Sequence, residues 1–223
     1  MAQPIIGHLE RLSIVKNTKE MLSVYFIAGT QDIIEGTLPS ILEEALKAGI
    51  TCFQYREKGQ GSLTEFHDKM NMAKICQSLC REYEVPFLIN DDVELALKID
   101  ADGIHVGQDD QDIQEVLGLF PTKIVGLSCH DQHEIIVANQ LEKITYYGIG
   151  PVYGTQSKPD AEKPIGIKTL QHLIKEANKP VVAIGGISTE NVSDVLATDV
   201  DGVSVISAIT RAENIRETVK SLQ

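Results

Sequence analysis

The chain is short of cations. It carries 20 Lys and Arg against 32 Asp and Glu, a formal charge of −12, and so acidic a surface repels nucleic acid and anionic membranes alike. Neither is expected as a partner, and if the partners are phosphates the few basic groups must be gathered in one place. No run approaches the ~20 apolar residues of a membrane span. The start, MAQPIIGHLERL, lacks the basic segment and long apolar run of a secretory leader, so a cytoplasmic location is expected. Cysteine is scarce as well. Cys52, Cys76, Cys80 and Cys129 match no zinc spacing and suggest no disulfide framework. Cys76 and Cys80 share a helix face without further Cys or His partners, so a structural role is expected of them. Linkers rich in Ser or in charge are missing, which leaves no case for a second domain. The first apolar run ends in AGTQD rather than a Gly-rich fingerprint, which disfavours a doubly wound dinucleotide-binding sheet.

What is present is a repeating alternation. Short runs rich in Val and Ile fall at 22–29, 51–55, 86–90, 102–107, 123–128, 145–150, 180–186 and 201–207, in a chain that is 43% apolar. Each is followed by a segment of helical spacing, as where Leu38, Ile41, Leu42, Ala45 and Leu46 recur on one face. Alternating strand and helix implies a parallel sheet, because parallel neighbours need a helix-length crossover. Eight such units in 223 residues are expected to close as a single α/β (β/α)8 TIM barrel over 21–223. Residues 1–20 are expected as an N-terminal helical extension packed against the barrel's bottom or end. Pro86, Pro121, Pro180, Gly49 and the pairs Asp102–Gly103 and Asp201–Gly202 punctuate helix ends before the next strand.

In such a barrel the chemistry sits at the C-terminal ends of the strands. The second run leads into Gln54, Tyr55, Arg56, Glu57 and Lys58, where alternation puts Gln54, Arg56 and Lys58 on one side. An amide and two cations together suit phosphate oxygens. The third run ends Asn90-Asp91-Asp92 and the fourth reaches Asp109 and Asp110. Carboxylates at adjacent strand ends are the usual protein share of a Mg2+ site beside a polyphosphate, with helix N-capping as the competing use of Asp91 and Asp110. Ser128 ends the fifth run and His130 follows it, either as ligand contacts or as structural groups at a helix start. A long hydroxyl-bearing loop with Thr155, Gln156, Ser157 and Lys158 follows the sixth. After the seventh and eighth, Gly185-Gly186 and Ile206-Ser207 offer close backbone approach and helix N-termini, a recurrent phosphate site. Two anion sites facing each other suggest two substrates and a transferase.

QYREK (54–58), INDD (89–92), GIHVGQDD (103–110), GLSCH (126–130), GPVYGTQSK (150–158), AIGGI (183–187) and VISAI (205–209) together resemble the thiamine-phosphate synthase family, also called thiamine-phosphate pyrophosphorylase. The resemblance runs in order from about Tyr25 to the C-terminus. It implies a Mg2+-assisted, dissociative condensation of 4-amino-5-hydroxymethyl-2-methylpyrimidine diphosphate with 4-methyl-5-(2-phosphoethyl)thiazole, giving thiamine phosphate and diphosphate. By that resemblance the stretch Gln54, Tyr55, Arg56, Glu57 and Lys58, with Asn90, binds the pyrimidine diphosphate, and Asp91 and Asp110 hold Mg2+. Ser128 and Lys158 contact the diphosphate, so Arg56, Lys58, Ser128 and Lys158 form the catalytic set. Thr155, Gln156, Ser157, Gly186, Ile206 and Ser207 hold the thiazole phosphate, several through backbone N–H groups. Many members carry Pro and a second Thr where this chain has Gly154 and Ser157, a change expected only to loosen the loop. Two rivals share the fold. A thiazole tautomerase needs neither paired metal carboxylates nor the loop Lys, and a non-catalytic phospholigand-binding barrel would let that charged set erode. Both substrates are small molecules, and homo-oligomerisation is left open.

Overall fold

The computed structural model describes residues 18–155 and 162–223; residues 1–17 of the expected extension lie outside them. Strands and helices alternate throughout. The strands are β1 (Val24–Ala28), β2 (Cys52–Tyr55), β3 (Phe87–Asn90), β4 (Gly103–Val106), β5 (Ile124–Cys129), β6 (Tyr146–Ile149), β7 (Val181–Ile184) and β8 (Gly202–Val205). All pair in parallel in sequence order, and β8 closes on β1. The expected (β/α)8 barrel is what forms. Around it lie α1 (Leu38–Ala48), α2 (Phe66–Glu82), α3 (Val93–Lys98), α4 (Ile113–Leu119), α5 (Gln132–Ala138), α6 (Gly166–Glu176), α7 (Val192–Leu196), α8 (Ser207–Thr210) and α9 (Ile215–Ser221).

The strands are buried on both faces, which is why they read as near-continuous apolar runs rather than alternating ones. Their period of two divides the core into separate layers. Phe26, Phe53, Tyr55, Phe87, Ile104 and Val125 point outward, into a shell shared with the helices. Tyr25, Ile27, Cys52, Leu88, Tyr146 and Val182 point inward and fill the barrel. Met21 and Leu22, from a helical turn at residues 18–22, plug its bottom, and Lys19 pairs with Asp201 at 2.7 Å.

The strand starts show a regular device. At the starts of alternate strands an N–H group donates to the side chain that precedes the next strand. Thr51 Oγ1 accepts from Val24 at 2.9 Å, Asp102 Oδ2 from Phe87 at 2.9 Å, Thr145 Oγ1 from Val125 at 3.0 Å, and Asp201 Oδ2 from Val181 at 2.8 Å. The Asp-Gly pairs therefore stitch neighbouring strands at the bottom of the barrel as well as punctuating helix ends.

Helix α1 shows how the outer layer holds. Thr37 caps it by accepting from Ser40 N–H, Pro39 sits in its first turn, and Leu38, Leu42, Ala45 and Leu46 form the buried stripe. Burying each such Leu contributes roughly 1.5–3 kcal/mol, enough to fix the helix against the barrel.

Candidate active site

A cavity of about 370 Å3 opens at the C-terminal ends of the strands, with Ile27, His105, Ile184 and Ser204 reaching into it from the barrel interior. Its wall is best followed strand by strand.

Beyond β2, Arg56 is 3% exposed and Lys58 reaches the mouth; both line the cavity. The loop after β1 braces Arg56. It forms a short 3-10 turn at Thr30–Asp32, and Gln31 Nε2 donates to the Arg56 carbonyl at 2.8 Å. Burial pushes the Asp32 carboxyl up, while the Gly29 N–H and the charge of Arg56 favour its ionised form. Glu57 and Tyr55 are placed elsewhere. Glu57 accepts from Thr30 N, Thr30 Oγ1 and Leu63 N at 2.8–2.9 Å, tying two loops together. Tyr55 points into the outer shell, as the strand period dictates. Neither lines the cavity. Gln54 faces inward beneath the floor, 1% exposed, with Nε2 donating to Tyr25 Oη at 2.6 Å. Its Oε1 is buried without a hydrogen-bond partner among the described residues.

The adjacent ends of β3 and β4 hold the carboxylates. Asp91 has φ 57°, a left-handed conformation that Asp tolerates better than most residues, and its carboxylate lies 3.0 Å from Lys58 Nζ. Asp110 lies 3.6 Å from the same ammonium and accepts from Gly107 N–H at 2.8 Å. The competing helix-cap reading fails for both, because Asp92 caps α3 through Leu95 N–H and Asp112 caps α4 through Gln114 and Glu115 N–H. Burial first, and then the neighbouring Asp110 carboxyl, push Asp91 up to about 6 against the pull of Lys58. Burial acts on Asp110 too, but the hydrogen bonds from Asp91 and Gly107, with Lys58, hold it below the usual range. Ionising one of two neighbouring carboxyls makes the other harder to ionise, and a cation between them relieves that repulsion. Among the described residues no cluster of three or more His, Cys, Asp or Glu could hold a metal, so a Zn-type cage is not built there. Two carboxylates do fit Mg2+, which takes one or two from protein and the rest from water and phosphate.

On β5, Ser128 Oγ lies 2.9 Å from His105 Nε2, and Gln108 Nε2 donates to the Ser128 carbonyl at 2.7 Å. Ser128 caps no helix; Asp131 caps α5. His130 also lines the cavity, with Nδ1 3.0 Å from Glu134. Opposite, the β6 loop is zipped onto β7, since Val152 N–H donates to Ile184 O at 2.8 Å and Tyr153 N–H to Gly185 O at 3.1 Å. Gly185 and Gly186 have φ 89° and 67°, and a Cβ on Gly186 would fall 2.6 Å from Gly154 O, so no other residue fits there. Asn90, Thr155, Gly186, Ile206 and Ser207 all line the same cavity. Gln156, Ser157 and Lys158 lie outside the described residues.

The chief residue missed from the sequence is His105. GIHVG reads as strand, and only the inward phase of β4 marks its middle residue as a cavity group. The four cysteines are buried and free; burial pushes Cys76 up to about 12, as expected of inert core thiols.

Fold and mouth define a class: a (β/α)8 barrel whose mouth gathers Arg56 and Lys58 beside two carboxylates. The comparisons narrow it. Residues 24–209 match the family model described as thiamine monophosphate synthase. The thiamine-phosphate synthase of Listeria welshimeri is 54% identical over 206 residues, covering 92% of this chain and 99% of that protein. That of Staphylococcus carnosus is 52% identical over 200 residues, covering 89% and 93%. The solved thiamine phosphate pyrophosphorylase of Pyrococcus furiosus superposes with a TM-score of 0.80 at 32% identity, covering 92% and 95%. The chain belongs to the thiamine-phosphate synthase family of transferases. No helix among the described residues is long and apolar enough to cross a membrane.

Proposed function

We propose that this mouth joins 4-amino-5-hydroxymethyl-2-methylpyrimidine diphosphate to 4-methyl-5-(2-phosphoethyl)thiazole, releasing diphosphate and thiamine phosphate. The observation that carries the reading is the Lys58–Asp91–Asp110 cluster beside buried Arg56, set across the cavity from Gly185-Gly186. One wall suits a highly charged group and the other a monophosphate.

In this reading the bond between the pyrimidine methylene carbon and the diphosphate oxygen breaks first, and its electron pair leaves with the diphosphate. The thiazole nitrogen then donates its lone pair to the carbocation. No general base is needed for either step. Arg56, Lys58, Lys158 and the Ser128 hydroxyl receive the negative charge that develops on the leaving group. Asp91 and Asp110 would hold Mg2+, which when bound neutralises diphosphate charge. Asn90 and Gln54 position the pyrimidine. Thr155, Gln156, Ser157 and the backbone at Gly186, Ile206 and Ser207 hold the thiazole phosphate, so that its nitrogen faces the departing carbon. Water is kept away by the apolar walls of Ile27, Ile184 and Ile206.

The test is to replace Asp91 or Asp110 by Ala and measure thiamine phosphate formation against Mg2+ concentration. Each variant should lose turnover by about 100-fold or more while keeping the wild-type circular dichroism spectrum. Wild-type Mg2+ dependence in both variants would remove the pair from the reaction.

A further inference from the structure

Beneath the cavity floor, polar side chains run in single file through the barrel interior. Gln54 Nε2 donates to Tyr25 Oη at 2.6 Å, and the Tyr25 and Tyr146 hydroxyls meet at 2.8 Å. Tyr146 Oη lies 2.9 Å from His105 Nδ1, and His105 Nε2 lies 2.9 Å from Ser128 Oγ. All five residues are buried, and the file surfaces in the cavity at His105 and Ser128. The neighbouring strand leaves room for it. Gly126 stands beside His105 in the β4–β5 register, and a Cβ there would fall 2.4 Å from His105 Nδ1 and 2.3 Å from the Tyr146 ring.

The file has a direction. An amide nitrogen can only donate, so Tyr25 Oη accepts from Gln54 and its own proton is available to Tyr146; the Cys52 thiol beside it is a weak acceptor by comparison. Burial raises both phenols well above their ordinary range, so each keeps its proton. Tyr146 then donates to Nδ1, and the imidazole carries its proton on Nε2, aimed at Ser128 Oγ. With that lone pair engaged, the Ser128 hydroxyl turns its proton outward, where a donor suits an anionic oxygen. The reverse order would leave Ser128 presenting lone pairs to an anion.

We propose that His105 is a positioning residue that, held by Tyr146, sets the Ser128 hydroxyl as a hydrogen-bond donor to the diphosphate. This rests on reading the mouth as a diphosphate site. Two readouts separate it from that reading. Histidine-selective 15N NMR of the full-length protein reports the tautomer without any turnover, and the expected state at His105 is Nε2–H. Calorimetric titration with inorganic diphosphate and Mg2+ then compares Ser128→Ala, Tyr146→Phe and the double variant. Each single change should weaken diphosphate binding about tenfold, and the double variant should be no weaker than Ser128→Ala. Affinity for the thiazole phosphate should not move, which a general loosening of the barrel would not allow. His105→Gln, whose amide nitrogen can stand in for Nε2, should recover most of the binding lost in His105→Ala. An Nδ1–H tautomer, or additive losses in the double variant, overturns the proposal. Wild-type protein that binds diphosphate without joining the two substrates would defeat the synthase reading while leaving the tautomer and the cycle to decide this one.

Discussion

Asp91 and Asp92 are neighbours with opposite duties. Asp92 spends its carboxylate on the N-terminus of α3, while Asp91, at φ 57°, turns back over the mouth to meet Lys58. The pair INDD does not reveal which aspartate does which; only the backbone conformation decides it. The crowding at Asp91 has a consequence for pH. Its folded value stands near 6 against an ordinary 3.8, so between those limits the folded state holds a proton that the unfolded chain has released. Stability from this group is therefore greatest below about pH 4 and falls as pH rises through about 6. Asp91→Asn keeps the shape without the charge. In Mg2+-free buffer it should be more stable than wild type at pH 7, by on the order of 1 kcal/mol, and equal to it at pH 4. Thermal melts at the two pH values check this; a less stable variant at pH 7 would show that the Lys58 ion pair outweighs the crowding.

At the scale of elements, the strand starts carry a prediction of their own. Asp102 satisfies the Phe87 N–H at the bottom of the barrel, far from the mouth. Asp102→Ala leaves that donor unmet and should lower stability by about 1–3 kcal/mol, read as a shift in the urea midpoint, with turnover unchanged at room temperature. Leu42→Ala, from the buried stripe of α1, should lose about 2–5 kcal/mol by the same measurement. These elements were legible because their physics is local. Val- and Ile-rich runs of strand length and the i, i+3, i+4 stripe from Leu38 to Leu46 announce themselves. The phase of each strand is also legible, and it matters at β2. Resemblance assigns the whole stretch 54–58 to the substrate, whereas a period of two sends Tyr55 to the outer shell, and Glu57 is taken up by Thr30 and Leu63. His105 stayed hidden for the complementary reason. A polar residue inside a barrel becomes conspicuous only when its partners, Tyr146 and Ser128, arrive from strands far away in sequence.

Across the whole molecule, 20 basic residues against 32 acidic ones give a surface that repels anions, so the concentration of Arg56 and Lys58 in one mouth is itself informative. Closing the barrel brings strand ends 33 residues apart into an ion pair, Lys58 with Asp91, and sets that cluster opposite the β7 turn. The order of the motifs could be read from the chain. The cavity between them exists only once β8 meets β1. The most direct measurement is diphosphate release by the purified protein with the pyrimidine diphosphate, the thiazole phosphate and Mg2+, omitting each in turn. The account predicts release that needs all three and matches thiamine phosphate formed one for one. Release that proceeds equally without the thiazole, or no release while the thiazole phosphate still binds, would contradict a mouth built to join two substrates.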